Sequence, residues 1–187
     1  MSLSIKIRNK NFTPEIFLQE AKIFWPKLRL HFRLNWLVWI LIASLYFVVH
    51  LNYRLVFNET PSLPYTLFLV RYGENVKTGQ VIAFNWHGGK QYPDGIMFAK
   101  RLVASQGEVV VRHGRDFSIG DLTLVGKEHG IYTRDLYPNN QLQEGSNVIP
   151  IGKYFVAGDH EYSLDSRYSL LGLVDEKDVV GRAYPIW

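Results

Sequence analysis

The chain of 187 residues has no cysteine. That excludes a disulfide scaffold, a thiol nucleophile, and zinc or iron–sulfur sites built on Cys. The redox compartment stays open, because a chain without thiols is indifferent to it. Six histidines stand singly, at His31, His50, His87, His113, His129 and His160. None has the i, i+4 pairing of a metal site on a helix, so they read as surface or loop residues. There is no P-loop, no dinucleotide fingerprint and no internal repeat. What is present is a composition of 47% hydrophobic and 20% charged residues. This suits one domain with a short appendage and rules out a disordered chain.

Net positive charge is confined to the N-terminal tail. Residues 1–33 hold seven basic side chains (Lys6, Arg8, Lys10, Lys22, Lys27, Arg29, Arg33) against Glu15 and Glu20. The rest of the chain holds 14 basic and 15 acidic residues and is nearly neutral. A nucleic-acid-binding domain would carry its positive charge on the folded part, so no nucleic acid is expected as a partner.

Between Arg33 and Arg54, the stretch Leu34–Leu51 has no Asp, Glu, Lys or Arg. As a helix its 18 residues rise about 27 Å, close to the thickness of a hydrocarbon core. Trp36, Trp39 and Tyr53 lie near its ends, where amphipathic rings favour the interface. A buried core helix is the alternative, but no polar face recurs at helical spacing. A cleaved signal peptide is disfavoured by the long preceding tail and the lack of a small-x-small cleavage site. The reading is a transmembrane signal anchor over 34–51. The basic tail before it places the N-terminus in the cytoplasm and the rest on the outer, periplasmic face of the cytoplasmic membrane. Within the tail, Thr13-Pro14-Glu15 is a helix start. Ile16, Phe17, Ala21, Phe24 and Trp25 recur at helical spacing until Pro26. This short amphipathic helix suits a membrane surface or a partner helix equally.

From residue 55 the pattern becomes β. Strands are expected at Tyr65–Arg71, Gln80–Phe84, Ile96–Ala104, Glu108–Arg112, Leu122–Val125, Ile131–Thr133, Tyr154–Ala157 and Val179–Tyr184, with Gly, Pro and Asn turns between them. No helical stripe of useful length appears there. The expected fold is mainly β, a compact antiparallel barrel or folded sheet over 55–187.

Three segments carry possible chemistry. In Asn58-Glu-Thr-Pro-Ser-Leu-Pro64 the prolines stiffen an extended segment around Ser62. In the strand Ile96–Ala104, alternation puts Lys100 on one face with Ile96, Phe98 and Leu102, and Arg101 on the other. An ammonium on an apolar face is desolvated, its pKa falls, and it becomes a potential general base. The alternative is a Lys that snorkels or pairs with an acid. The third segment, Gly158-Asp-His-Glu-Tyr-Ser-Leu-Asp-Ser-Arg-Tyr168, is a dense polar run after an apolar strand. It is either a solvated turn or the support of a site, with Ser163 and Asp165 able to bond a buried ammonium and Asp165 with Arg167 able to lock the loop.

Taken in order, these segments resemble the boxes of the bacterial type I signal peptidases, which cleave with a Ser–Lys dyad. Ser62 in Pro-Ser-Leu-Pro is similar to the nucleophile box, Lys100-Arg101 to the general-base box, and Gly158–Arg167 to the Gly-Asp…Ser-x-Asp-Ser-Arg box. Ser-Leu-Pro, the short Gly-Asp-His run and the small size are more particularly similar to the conjugative-transfer (TraF-type) signal peptidases, which process pilin precursors and in some cases cyclise them. Ala104, Gln106 and Tyr65-Thr66 depart from the family pattern, which bears on the substrate groove more than on the dyad. The resemblance implies a membrane-anchored serine endopeptidase with Ser62 as nucleophile and Lys100 as base. Thr60 would support the oxyanion, Ser163 would orient Lys100, and Asp165 with Arg167 would brace the loop. It implies no cofactor and no metal. The partners implied are a precursor protein of pilin type, the lipid bilayer and a transfer or secretion complex. The pocket for the substrate's small side chains is expected around Leu63–Leu69 and Val81–Phe84. Competing functions are a housekeeping signal peptidase acting on many exported proteins, a non-catalytic membrane-tethered β scaffold, and a Ser–Lys self-cleaving regulator.

Overall fold

The computed structural model describes residues 14–88, 92–130 and 135–187. It divides into two compact units, Met1–Val49 and His50–Trp187.

The first unit is helical. Helix α1 covers Pro14–Leu34 and α2 starts at Trp36 and runs to Asn52. The helix expected to stop at Pro26 continues through it, the ring costing one backbone donor without ending the turn. The break falls instead at Asn35. Its Nδ2 donates to the His31 carbonyl at 2.9 Å, the same acceptor its own backbone N–H uses. Such side-chain competition bends helices. The axes of Ala21–Leu34 and Trp36–Asn52 differ by 76°. Over the stretch expected as an anchor, 34–51, the helix thus starts two residues later and ends one residue later. Among the described residues no single helix is long and apolar enough to cross a membrane, while this bent pair passes on length and composition together.

The second unit is built of strands: β1 (Tyr53–Phe57), β2 (Leu67–Tyr72), β3 (Val81–Asn85), β4 (Met97–Ala104), β5 (Val109–His113), β6 (Asp116–Ile119), β7 (Leu122–Leu124), β8 (Gly145–Val148), β9 (Lys153–Ala157), β10 (Val174–Asp175) and β11 (Val179–Pro185). Seven form one sheet in the order β1-β2-β11-β3-β4-β9-β10, and four form a second in the order β7-β6-β5-β8. All pairings are antiparallel. The expected barrel does not close. After β4 the chain leaves to build the smaller sheet, and the larger one ends on β1 and the two-residue β10 as open edges.

Seven expected strands form within a residue or two of their expected bounds, and the eighth, Ile131–Thr133, lies outside the described residues. Four strands were not expected: β1, β6, β8 and β10. Gly145-Ser-Asn-Val, for example, has little β-propensity and is a strand because it pairs with β5.

Apolar residues from both sheets meet in one buried cluster that includes Val103, Val110, Phe117, Ile149 and Phe155. A second cluster holds Leu63, Phe68, Val70 and Ala83, and a third holds Ile82, Phe84, Leu102 and Val156 with Phe98 packed against it. Strand β4 is a central strand between β3 and β9, so a side chain on it is covered from both sides.

Candidate active site

Ser62 lies in the loop from β1 to β2. Asn58 closes that loop: its Nδ2 donates to the carbonyls of Leu63 (3.2 Å) and Tyr65 (2.9 Å), and its backbone N–H donates to Thr66 O at 2.8 Å. Leu63, the residue after Ser62, is buried in the core and ties this loop down. The result is a Ser62 that is 2% exposed, with Oγ 3.0 Å from the hydroxyl of half-buried Thr60.

Lys100 stands on β4 directly opposite Ile82. Its alternate neighbours Phe98 and Leu102 belong with Ile82 to one apolar cluster, as strand alternation predicts. The side chain is 5% exposed, and its Nζ donates to Ser163 Oγ at 2.9 Å. Burial pulls its pKa from 10.5 down to about 8. The Asp165 carboxylate pulls the other way, Arg167 lowers it further, and Asp159 raises it. Lys100 thus gives up its proton far more readily than an ordinary lysine.

The loop after β9 supplies the rest. The Asp159 and His160 backbone N–H groups donate to Ser62 O at 2.8 and 3.2 Å, tying this loop to the one that carries Ser62. Gly158 sits at the crossing, where a Cβ would overlap the Ser163 hydroxyl and come 2.9 Å from Ser62 O. Asp165 and Arg167, 0% and 3% exposed, face each other in a bidentate pair with both N···O distances at 2.8 Å. Burial opposes the Arg167 charge, but the Asp165 hydrogen bonds and charge outweigh it, and the Arg167 pKa is raised. Asp165 also accepts from Gly158 N, and Arg167 donates to Val125 O. Outside this buried layer, Arg101 forms a second bidentate pair with Asp159 at 2.9 and 2.7 Å.

The structure therefore brings Thr60 to Ser62, Ser163 to Lys100, and Asp165 to Arg167. Asp165 makes no hydrogen bond to the Lys100 ammonium, contrary to one expectation, because its oxygens are taken by Arg167 and the Gly158 N–H. Ser62 and Lys100 are not hydrogen-bonded to each other; each hydroxyl or ammonium has another partner. They share the wall of one cavity of about 390 Å³. Val56, Phe57, Ile96, Phe98, Tyr162 and Leu164 also line it. Of the stretches expected to form the pocket, Leu63–Leu69 contributes Phe68 and Val81–Phe84 contributes nothing, because those β3 side chains are buried in the sheet's two apolar clusters.

Sequence reasoning missed Asn58 and Asn139. Asn139 is fully buried, and its Nδ2 donates to Ser166 O at 2.8 Å, holding the loop that carries Asp165 and Arg167. Both are short amides among Pro and polar residues, a pattern that reads as an ordinary turn.

A family model described as "Signal peptidase, peptidase S26" matches residues 29–187. The chain is similar to signal peptidase I T of Bacillus subtilis, 30% identical over 150 residues, which cover 74% of this chain and 66% of that protein. It is similar to signal peptidase I of Pseudomonas aeruginosa, 28% identical over 130 residues, covering 52% of this chain and 46% of that protein. A stretch of 72 residues is 38% identical to signal peptidase I of Haemophilus influenzae, covering 36% of this chain and 20% of that protein. The chain thus spans between a fifth and two thirds of the length of these relatives. A crystal structure of a signal peptidase I from Enterococcus faecalis overlaps 58% of this chain and 97% of that chain at 26% identity, with a TM-score of 0.36.

Proposed function

This chain belongs to the signal peptidase family, peptidase S26, and on that footing we propose that it is a serine endopeptidase that removes the leader of an exported precursor protein. The observation that carries this reading is Lys100. It is a buried lysine with a hydroxyl rather than a carboxylate as its hydrogen-bond partner, it titrates near 8, and it lies on the wall of the cavity that Ser62 also lines. A lysine kept for structure alone would be paired with an acid.

In this mechanism neutral Lys100 Nζ takes the proton of Ser62 Oγ as that oxygen attacks the scissile carbonyl carbon. The carbonyl oxygen becomes an oxyanion, stabilised by the Ser62 backbone N–H and the Thr60 hydroxyl. Protonated Lys100 then gives its proton to the leaving amine, and the acyl-enzyme remains. Water, activated by Lys100 in turn, releases the product. If the substrate's own amine attacks instead, the product is a ring. Ser163 holds the Lys100 amine in place through the cycle, while the Asp165–Arg167 pair keeps the loop that bears Ser163 from moving.

The same reading places α2 across the cytoplasmic membrane, with the basic tail inside and the β unit outside, and adds a conjugative pilin precursor as substrate. The Ser-Leu-Pro motif and the short Gly158–Tyr168 run support that subtype. A second reading, broad cleavage of many exported proteins, is favoured by the names of the relatives, each a signal peptidase I.

The test is mass spectrometry of exported proteins from cells carrying the wild-type chain or Ser62→Ala. Intact pilin precursor in the variant alone supports the narrow reading, and a trimmed product one water lighter than the linear chain adds cyclisation. Accumulation of many precursors favours the broad reading. Identical trimming in both strains overturns the peptidase and leaves a scaffold.

A further inference from the structure

We propose that α1 lies flat on a membrane surface and binds the headgroups of anionic phospholipids, making the N-terminal unit an L-shaped anchor with one arm in the interface. The proposal rests on the reading that α2 enters the bilayer, and is independent of the chemistry at Ser62.

Three observations on the helical unit carry it. The first is the distribution of side chains around α1. Ala21, Phe24, Trp25, Leu28 and Phe32 recur at i, i+3, i+4, i+7 and i+11 and form one apolar arc. Phe24, Trp25 and Phe32 remain exposed. Lys22, Arg29 and Arg33 run along the edge of that arc and line a groove with Trp25, Pro26 and Leu30. From Ala21 to Leu34 there are four Lys or Arg and no acid. A basic edge beside an aromatic and aliphatic face is the pattern of helices that lie at the headgroup level of a bilayer.

The second observation is the corner. A bend of 76° turns an in-plane helix into one that runs close to the membrane normal. The third is that the corner is built rather than loose. The Trp39 ring, on the first turn of α2, packs against Phe32 with centroids 4.9 Å apart and against His31 at 6.1 Å, and Asn35 Nδ2 holds the His31 carbonyl. Aromatic rings concentrated at the turn belong at the interface between water and hydrocarbon. Charge complementarity selects the lipid: an acid-free cationic edge gains on an anionic surface and gains little on a zwitterionic one.

The chain has no cysteine, so single substitutions give unique spin-label sites. The 187-residue chain is reconstituted in vesicles of phosphatidylcholine alone or with phosphatidylglycerol, with labels at Leu28→Cys, Lys27→Cys or Ile42→Cys. The expected result with phosphatidylglycerol is a Leu28 label at headgroup-to-acyl depth, a Lys27 label in water and an Ile42 label in the hydrocarbon. Each basic residue contributes roughly fivefold to surface partition. Lys22→Gln/Arg29→Gln/Arg33→Gln, which leaves the apolar arc intact, is therefore expected to shift α1 roughly 100-fold toward water while the Ile42 label stays buried and helicity is unchanged. Four outcomes overturn the proposal. Both α1 labels could be in water, or the Leu28 depth could be the same in neutral lipid and after charge removal. The Leu28 label could be immobile yet shielded from lipid, as on a protein partner. An Ile42 label in water would overturn the anchor reading as well.

Discussion

Lys100 and Arg167 are two cations in the same buried layer, 5% and 3% exposed, and the protein treats them oppositely. Arg167 faces a carboxylate with matching geometry, two N–H···O bonds of 2.8 Å, and its charge is secured. Lys100 is given one hydroxyl at 2.9 Å, and its charge is undermined. Burial penalises both charged forms, so the partner decides the outcome. Guanidinium is effectively always charged and suits a brace, whereas an ammonium loses its proton readily and suits proton transfer. Arg101, one residue along β4 from Lys100, adds a third case: a partly exposed pair with Asp159 that keeps its charge. Neighbouring positions on one strand thus hold a lysine whose charge is weakened and an arginine whose charge is secured, because the strand turns them to opposite faces.

The contrast can be broken most severely at Lys100 itself. Lys100→Met is expected to lower cleavage of a reconstituted precursor by about 10⁴-fold or more, as losing a unit of a nucleophile–base pair does. It is also expected to raise stability. With its folded pKa of about 8 below the ordinary 10.5, Lys100 binds fewer protons folded than unfolded, so its burial penalty is full below pH 8 and fades as pH rises toward 10.5. Denaturation at pH 7 should find the variant more stable by up to roughly 3 kcal/mol, and the gap should close by pH 10.5. A less stable variant at pH 7 would show that Lys100 is structural.

Asp165→Asn attacks the other half of the contrast. It leaves Arg167 buried without its counter-charge and should cost about 3–5 kcal/mol in denaturation. A loss under about 1 kcal/mol would show that Arg167 does not depend on Asp165. Thr60→Val probes the nucleophile side and should lower kcat by roughly 100-fold or more with folding intact, as loss of one oxyanion donor does.

The smallest effects sharpen the comparison. Cleavage should climb about tenfold per pH unit below pH 8 and level off above it, the behaviour of a single base that must be neutral. Asp159 favours the Lys100 ammonium, so Asp159→Asn should move this midpoint down while costing under about 1 kcal/mol of stability at its partly exposed pair with Arg101. A midpoint that rises or does not respond would separate the pH profile from Lys100.

Several of these roles were legible before folding. Alternation along 96–104 put Lys100 on an apolar face, and two prolines marked Ser62 as held in an extended loop, because both are local rules of backbone and strand geometry. The residues alone left Ser163 and Asp165 equally able to bond a buried ammonium, and the choice of Ser163, 63 positions from Lys100, came only through resemblance. The assignment of Asp165 to Arg167 rather than to the ammonium needed coordinates, since a carboxylate two residues from one cation and across a loop from another has no sequence rule to choose between them. Asn58 and Asn139 were hidden because a short amide in a turn and a short amide latching a loop have the same neighbours in sequence. Pro26 misled for the opposite reason: it carries a strong stop signal, yet the turn breaks at Asn35.

By itself the sequence determined the apolar helix, the strand rhythm and the apolar face that Lys100 shares, all of which follow from periodicities a few residues long, while the three boxes were legible only through resemblance. The tertiary structure decided that two sheets form in place of a closed barrel, that the cavity is walled by 54–60 and 96–100 rather than by β3, and that Ser163, not a carboxylate, meets the ammonium. Those outcomes depend on which distant loops pack together, and packing is chosen by the whole apolar core rather than by any one segment.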